Sequence, residues 1–305
     1  MATLSRRQGT LLRTPNEEVA RLFRGANDAI RGLTNNQRLV KIARGFHVAG
    51  VLKRCEYRLR GPSDGLIRHA IGGVQVVFAA PEATEFRTLE CCYGDELDFI
   101  EALENRLRRG GVYYDIGSNV GQFLIPMAKI VGERGRVIGF EPHPGNHQRL
   151  MRNIALNHLT NARVFKLALG DCSGEIKIFG MHGTATIVPR AADQNKSSPA
   201  AIIQVVPGDD LRRTAGLPVP KAVKIDVEGA EFGVLSGLKE TLSSPVCELL
   251  CVEIHPRFIP AGVSREMVLS VVRSLGFNRT ESRQRGSEIH LIAEKEEGQV
   301  CNTPE

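Results

Sequence analysis

An α/β fold around a mostly parallel sheet is what this sequence predicts, and three observations lead there. From Gly111 onward, short apolar runs alternate with stretches of helical period; the runs are rich in Val, Ile and Phe and end in acidic or turn-forming residues; and the first of them, Val112-Tyr113-Tyr114-Asp115-Ile116, passes directly into a glycine-spaced turn. Strand 112–116 is expected to lead into helix 120–131, and strand 136–141 into helix 144–158. Strand 163–169 follows; strand 221–227 then leads into helix 229–242, and strand 247–254 into helix 264–275. Strand–helix–strand units of this kind place successive strands parallel, with helices on both faces. Phe277–Ser282 and Glu288–Glu294, close across a polar turn, read as an antiparallel hairpin at the sheet edge. Residues 170–210 interrupt the alternation with strand-like Glu175–Phe179 and Ile202–Val206 around a Ser-, Pro- and Asn-rich stretch, and are expected to form a lid-like insertion.

Upstream, residues 16–54 read as two helices, the second with Leu39, Ile42, Ala43 and Phe46 on one face. Glu56–Arg60 and Gly73–Ala80, separated by Gly61-Pro62-Ser63-Asp64-Gly65, look like short strands, and Asp95–Arg108 like a helix with Leu97, Ile100, Leu103 and Leu107 on one stripe. Two parts are therefore expected: a basic helical and short-strand segment over residues 1–85, and the sheet domain over 86–305.

At 305 residues the chain can bury one large core, and 42% hydrophobic with 24% charged residues is ordinary globular composition. No apolar run approaches the ~18 residues of a membrane span. The first twenty residues lack the continuous apolar core of a secretory signal, so a cytoplasmic protein is expected. Seven cysteines without any C-x-x-C pair indicate neither a disulfide framework nor a thiolate zinc site. The net charge of +6 is uneven: residues 1–70 hold 14 Lys and Arg against 5 Asp and Glu, or +9, leaving −3 for the rest. The basic residues alternate with apolar ones at helical spacing and with few aromatics, which reads as solvated helical faces rather than a nucleic-acid surface; peripheral contact with a membrane stays open, as does oligomeric state.

Asp115-Ile116-Gly117-Ser118-Asn119-Val120-Gly121 is the first segment that points to chemistry. Glycines at 117 and 121 let backbone N–H groups approach a ligand closely. A dinucleotide fingerprint would read G-x-G-x-x-G and receive a pyrophosphate, which disfavours a nicotinamide oxidoreductase here. The strand-end carboxylate of Asp115 suits a cation instead, and S-adenosylmethionine carries an ammonium and a sulfonium. Glu141 ends the next strand 24 residues after Gly117, near the ~20 expected of an acid that accepts both ribose hydroxyls. Asp171, after strand 163–169, is a candidate for the adenine amino group, with a plain turn as the alternative. Asp226, Glu228 and Glu231 gather around the end of a strand and the start of a helix, where acids are favoured by the dipole alone. Asp226 closes the strand at the sheet's carboxyl edge, where open α/β sheets bind ligands, and Glu253 and His255 on the following strand share one face.

These segments, with Gly139-Phe140-Glu141-Pro142, Ile225-Asp226-Val227-Glu228-Gly229-Ala230-Glu231 and Val252-Glu253-Ile254-His255, resemble the FkbM-type methyltransferases in type and order over roughly residues 90–295. The resemblance implies a Rossmann-like seven-strand methyltransferase sheet, S-adenosylmethionine as cofactor, and O-methylation of a sugar or secondary metabolite. Residues 1–85 lie outside it. The cofactor-binding candidates are then Asp115, Gly117, Ser118, Asn119, Gly121, Glu141 and Asp171, and the catalytic candidates His255, Asp226 and Glu253. A hydroxyl acceptor calls for a base: His255, with Glu253 orienting its ring, or Asp226. The same three residues could ligate a divalent cation, but Mg²⁺ prefers oxygen ligands to an imidazole, so no metal is expected. The competing reading is a non-catalytic S-adenosylmethionine-binding module whose basic segment docks an anionic partner.

Overall fold

A computed structural model describes residues 61–80, 96–178, 201–260 and 262–296, together with Tyr57, Glu82, Ala83, Phe86 and Leu89. The helices expected in 16–54 lie outside the described residues, as does most of the strand expected at 56–60, within which Tyr57 is helical. The chain divides into two compact units, residues 1–65 with 81–86, and residues 66–80 with 87–305. In the first, the rings of Tyr57 and Phe86 meet edge to face at 5.8 Å. The second holds everything below.

Its sheet has seven strands: β3 (Val112–Ile116), β4 (Arg136–Phe140), β5 (Ala162–Phe165), β9 (Ala222–Ile225), β10 (Leu249–Ile254), β11 (Arg279–Arg285) and β12 (Glu288–Glu294), in the spatial order β11-β12-β10-β9-β3-β4-β5. Strands β10, β9, β3, β4 and β5 run parallel, and β12 runs antiparallel to both of its neighbours. The central strands are covered on both faces, which is why they read as mostly apolar runs: Ala222, Val223, Ile225, Leu249, Leu250, Cys251, Val252 and Ile254 are all 0% exposed. The edge strand β11 reads Arg-Thr-Glu-Ser-Arg-Gln-Arg, a charged sequence that discourages further pairing.

Helices α1 (Leu97–Arg106), α2 (Leu124–Val131), α3 (Pro144–Leu156), α4 (Gly208–Thr214), α5 (Glu231–Gly237), α6 (Lys239–Ser243) and α7 (Arg265–Ser274) complete the unit. Several boundaries differ from the sequence expectation for local reasons. Helix α2 begins at Leu124 rather than 120, because Asn119 and Gly121 hold positive φ angles of 50° and 96° that no helix contains. Helix α5 begins at Glu231 because Glu228 and Gly229 are left-handed, and the expected single helix over 229–242 is two, meeting at Leu238. In α1, Leu97 is half exposed and Phe99 is buried in its place.

The strand expected at 163–169 is also two. Its second half, β6 (Ala168–Gly170), leaves the main sheet to pair in parallel with β8 (Ala201–Pro207), whose other edge takes β7 (Gly174–Ile178) antiparallel. The insertion thus contributes a separate three-stranded sheet, while residues 179–200 lie outside the described part.

Before the sheet, β1 (Leu66–Ile71) and β2 (Val74–Ala79) form a hairpin. The short strand expected at 73–80 is thus β2; its partner Leu66–Ile71 was not read as a strand, and Gly72-Gly73, with φ of 55° and 71°, makes the two-residue turn that demands left-handed backbone at both positions. The expected boundary at 85 grouped this hairpin with the N-terminal segment, whereas its contacts lie with the sheet unit. The free edge of β2 is satisfied by side chains of α3. Asn157 accepts from Val77 N at 2.9 Å and donates to Val77 O, and Asn153 accepts from Ala79 N at 2.9 Å. Asn153 Nδ2 also donates to Val120 O at 2.9 Å, tying hairpin, α3 and glycine turn together. Among the described residues no helix is long and apolar enough to cross a membrane.

Replacing Asn153 by Ala takes the partner from the part-buried Ala79 N–H and from the buried Val120 carbonyl, and is expected to cost about 1–3 kcal/mol, read from the urea midpoint. An unchanged midpoint would show that these bonds contribute nothing.

Candidate active site

Strand order reverses between β3 and β9: the chain moves outward from β3 to β4 and β5, then crosses back to β9 and β10. Loops at the carboxyl ends of such neighbours diverge, and a crevice opens between them. A cleft of about 1120 Å³ lies there, its walls supplied by the ends of β3, β4, β9 and β10, the three-stranded sheet and the β11–β12 turn.

On the β3–β4 side, Gly117 has φ +81°, and a Cβ there would come within 1.8 Å of the Asp226 carbonyl oxygen. The turn that follows delivers Asn119 N to Glu141 Oε2 at 2.7 Å, while His143 N donates to Glu141 Oε1 at 2.9 Å. Glu141 is buried, and burial pushes its carboxyl up to about 7 against the pull of those donors. His143 caps α3 through Nδ1, with Pro144 in the first turn. Asn146, on that turn, reaches Glu141 Oε1 at 3.5 Å with its amide nitrogen, and its Oδ1 is buried without a hydrogen-bond partner in the cleft wall. A backbone-held carboxylate, an orphaned amide oxygen and a turn without a Cβ fit an adenosyl group, with donors from ribose and adenine.

Of the residues expected to bind cofactor, Gly117, Asn119, Glu141 and Asp171 line the cleft. Asp115, Ser118 and Gly121 stand behind it. Ser118 Oγ donates to Asp115 O at 2.7 Å and accepts from Phe140 N at 3.2 Å, stapling β3 to β4. Asp115 is 1% exposed and accepts from Tyr113 Oη at 3.3 Å. Burial raises its pKa, and the Lys224 ammonium opposes that rise. The cation that the strand-end carboxylate called for is thus supplied within the protein.

The β9–β10 side is built around Lys224, 2% exposed, whose Nζ lies 3.2 Å from Asp226 Oδ2 and 4.6 Å from the Phe123 ring centroid. Burial alone would lift the Asp226 carboxyl, but Lys224, His255 and Arg285 hold it below the usual carboxylate range. His255 is 5% exposed, its Nε2 3.7 Å from Asp226 Oδ1 and its Nδ1 2.7 Å from Glu231 Oε1. Burial disfavours the imidazolium, yet the bond to Glu231 and the charges of Asp226, Glu231 and Glu228 outweigh it and push His255 up to about 9. Glu231 also accepts from Gly229 N at 3.0 Å.

Glu253 does not orient the His255 ring, contrary to the sequence expectation. It lies opposite His290 across the β10–β12 register and accepts from Arg285 at 2.8 Å, and Arg285 also reaches Glu96 at 3.1 Å. Glu231, whose place at a helix start had a sufficient dipole explanation, is the carboxylate on the ring. Arg285 and Glu96 carried no local signal, while Lys224 was legible only as a lone cation in an apolar strand. One ligand atom each from Asp226, Glu253 and His255 lies within 4.8 Å of the others, a spacing a metal ion could use, but Asp226 is paired to Lys224 and Glu253 to Arg285.

The family described as the methyltransferase FkbM domain matches residues 115–279, more than half of the chain. A hexuronic acid methyltransferase, AglP of Haloferax volcanii, is 27% identical over 197 residues, spanning 64% of this chain and 77% of that protein. The 31-O-demethyl-FK506 methyltransferase FkbM of Streptomyces tacrolimicus is 24% identical over 221 residues, 61% of this chain and 81% of that one. Among solved structures, a SAM-dependent methyltransferase from Aquifex aeolicus aligns over 66% of this chain and 88% of its own with a TM-score of 0.37 and 13% identity, too loose a match to add to the strand order.

Replacing Glu231 by Gln removes the charge from the His255 Nδ1 partner. The ring's titration, followed by proton NMR, is expected to fall from about 9 by roughly one to three pH units. A midpoint that does not move would mean that Glu231 is not what holds the imidazolium.

Proposed function

Because the chain belongs to the FkbM methyltransferase family, whose cofactor is S-adenosylmethionine, we propose that it transfers a methyl group to a hydroxyl of a carbohydrate or secondary metabolite. The observation that carries this reading is Asp226 and His255 on the cleft wall with Glu231 buried behind the ring, an imidazole held between two carboxylates where an acceptor hydroxyl would be deprotonated. The names of the two relatives, a hexuronic acid methyltransferase and a 31-O-demethyl-FK506 methyltransferase, support an oxygen acceptor of this class.

S-adenosylmethionine, when bound, supplies an electrophilic methyl group on its sulfonium. Gly117, Asn119, Glu141 and Asn146 would hold its adenosyl part on the β3–β4 side, with Asp171 at the end of β6 toward the adenine. On the other side, Asp226, whose side chain is 27% exposed, accepts a hydrogen bond from a second hydroxyl of the acceptor and so holds the reacting hydroxyl against His255, its oxygen aimed across the cleft. His255 takes the proton at Nε2, and Glu231 fixes the tautomer by accepting from Nδ1–H. The imidazolium so formed stays between Asp226 and Glu231, which stabilise it. Glu253, held by Arg285, shapes the wall beside them. No metal enters this scheme, since Lys224 and Arg285 already neutralise the carboxylates a metal would need.

A base whose pKa is raised to about 9 is mostly imidazolium at neutral pH. The free enzyme's kcat/KM is therefore expected to climb with pH, close to tenfold per unit below about 9, and to level off above it. Replacing His255 by Ala should flatten that limb and lower turnover by ~10²–10⁴-fold, with S-adenosylmethionine affinity kept. Methyl transfer to a hydroxyl with a profile flat from pH 6 to 9 would remove His255 as base, and transfer only to nitrogen or carbon acceptors would remove the hydroxyl reading.

A further inference from the structure

His290 is a buried imidazole that the methyl-transfer scheme does not use. It lies on β12 directly opposite Glu253 in the β10–β12 register, and its side chain is 0% exposed. Nδ1 is 3.0 Å from both carboxylate oxygens of Asp98, in the first turn of α1. On the other side of the ring, Nε2 is 3.6 Å from Glu253 Oε1, an ion-pair distance rather than a hydrogen bond, and it is buried with no hydrogen-bond partner among the described residues. The ring stacks on Phe99 at 4.3 Å. Among the described residues, the charged groups facing this ring or its partners come from three elements: Asp98 from α1, Glu253 from β10, and Arg283 and Arg285 from β11. Arg283 also binds Asp98 at 3.1 Å, and Arg285 binds Glu253 at 2.8 Å.

A carboxylate only accepts, so each one calls for a proton on the nitrogen that faces it, and a neutral imidazole carries a single N–H. With that proton on Nδ1, the Nε2 lone pair would be shut in against a carboxylate oxygen. With it on Nε2, the Nδ1 lone pair would face two carboxylate oxygens at 3.0 Å. The imidazolium alone meets both partners. Burial opposes the charge, yet Glu253 and Asp98 outweigh it and hold the ring above the usual imidazole range, and the face of Phe99 adds a cation–π attraction. We propose that His290 is a positioning residue, a sealed imidazolium that holds the Glu253 carboxylate in the cleft wall from behind while Arg285 holds it from the edge hairpin. Both cations grip the same oxygen, Oε1, so the carboxylate cannot turn, and Oε2 is the oxygen it offers to the cleft. The restraint matters because Glu253 has a carboxylate oxygen within 4.8 Å of ligand atoms on Asp226 and His255. The fold thus builds one unit twice: His255 between Asp226 and Glu231, open to the cleft and able to move a proton, and His290 between Glu253 and Asp98, closed and moving none.

Long-range nitrogen–proton correlation NMR of the native protein near neutral pH, with the ring assigned through its own backbone signals, reports which nitrogens of His290 carry protons. Protons on both are expected, and a lone pair on either overturns the proposal. His290→Gln keeps a donor for one carboxylate but no charge. The ring's folded-state pKa lies above its unfolded value of ~6.5, so the stability it contributes is full below that value and is lost as pH rises through the folded one. The gap in urea midpoint between native protein and His290→Gln is therefore expected to shrink by about half or more from about pH 6 to about pH 10, the contribution of His255 cancelling because both proteins keep it. A gap that stays constant is what a neutral packing residue would give, and it overturns the proposal. The crystal structure of His290→Gln is expected to show the Glu253 carboxylate turned from its place; an unmoved carboxylate overturns the positioning role. If the variant does not fold, the native-protein measurement decides alone. None of these readouts involves an acceptor, so their failure leaves the methyl-transfer reading standing.

Discussion

A single buried ammonium holds the cleft together. Lys224 sits in the middle of the sheet, where its neighbours along β9 are all apolar and fully buried. Burying an unpaired ammonium costs several kcal/mol, and this one persists because its charge acts on carboxylates from four separate segments: Asp226 after β9, Asp115 on β3, Glu96 before α1 and Glu253 on β10. The dependence is mutual. Without the ammonium, Asp115 would be buried beside Asp226 with no compensating charge, and the acids would protonate or separate. Arg285 plays the corresponding part at the edge hairpin, spanning Glu96 and Glu253, so the charge lattice also fixes the β11–β12 turn in the cleft wall.

The two ends of the cleft are joined by backbone. Gly117 belongs to the turn on the β3–β4 side, yet the atom its missing Cβ would strike is the carbonyl oxygen of Asp226. The glycine therefore answers to the neighbouring strand as much as to any ligand. Ser118 and Asn119 continue the same economy of space, one stapling β3 to β4 and the other placing its N–H on Glu141. The turn is held from below through the Asn153 bond to Val120. The two walls of the cleft are thus built on adjacent strand ends and tied through one backbone turn.

The parallel strands were legible because strands covered on both faces must be mostly apolar, and Val112–Ile116, Ala222–Ile225 and Leu249–Ile254 are apolar but for one charged residue each, Asp115, Lys224 and Glu253. Glu141 and Asp226 were legible because each ends such a strand at the carboxyl edge. What was not legible depends on contacts distant in sequence. Glu231 looks like any acid at a helix start until the fold brings His255, 24 residues on, to 2.7 Å. Alternation put Glu253 and His255 on one face but could not show that Arg285, arriving from the edge hairpin, would claim Glu253. The departure of β6 from the main sheet was equally hidden, because the partner that draws it away is β8, more than thirty residues later.

The division of the cleft into a cofactor wall and an acid–base wall is tested most directly by calorimetric titration with S-adenosylmethionine of the native protein, Glu141→Ala and His255→Ala. The account predicts one-site binding by the native protein, retained in His255→Ala and lost or weakened at least tenfold in Glu141→Ala. Binding that survives Glu141→Ala unchanged, or that His255→Ala abolishes in a protein still folded, would contradict it.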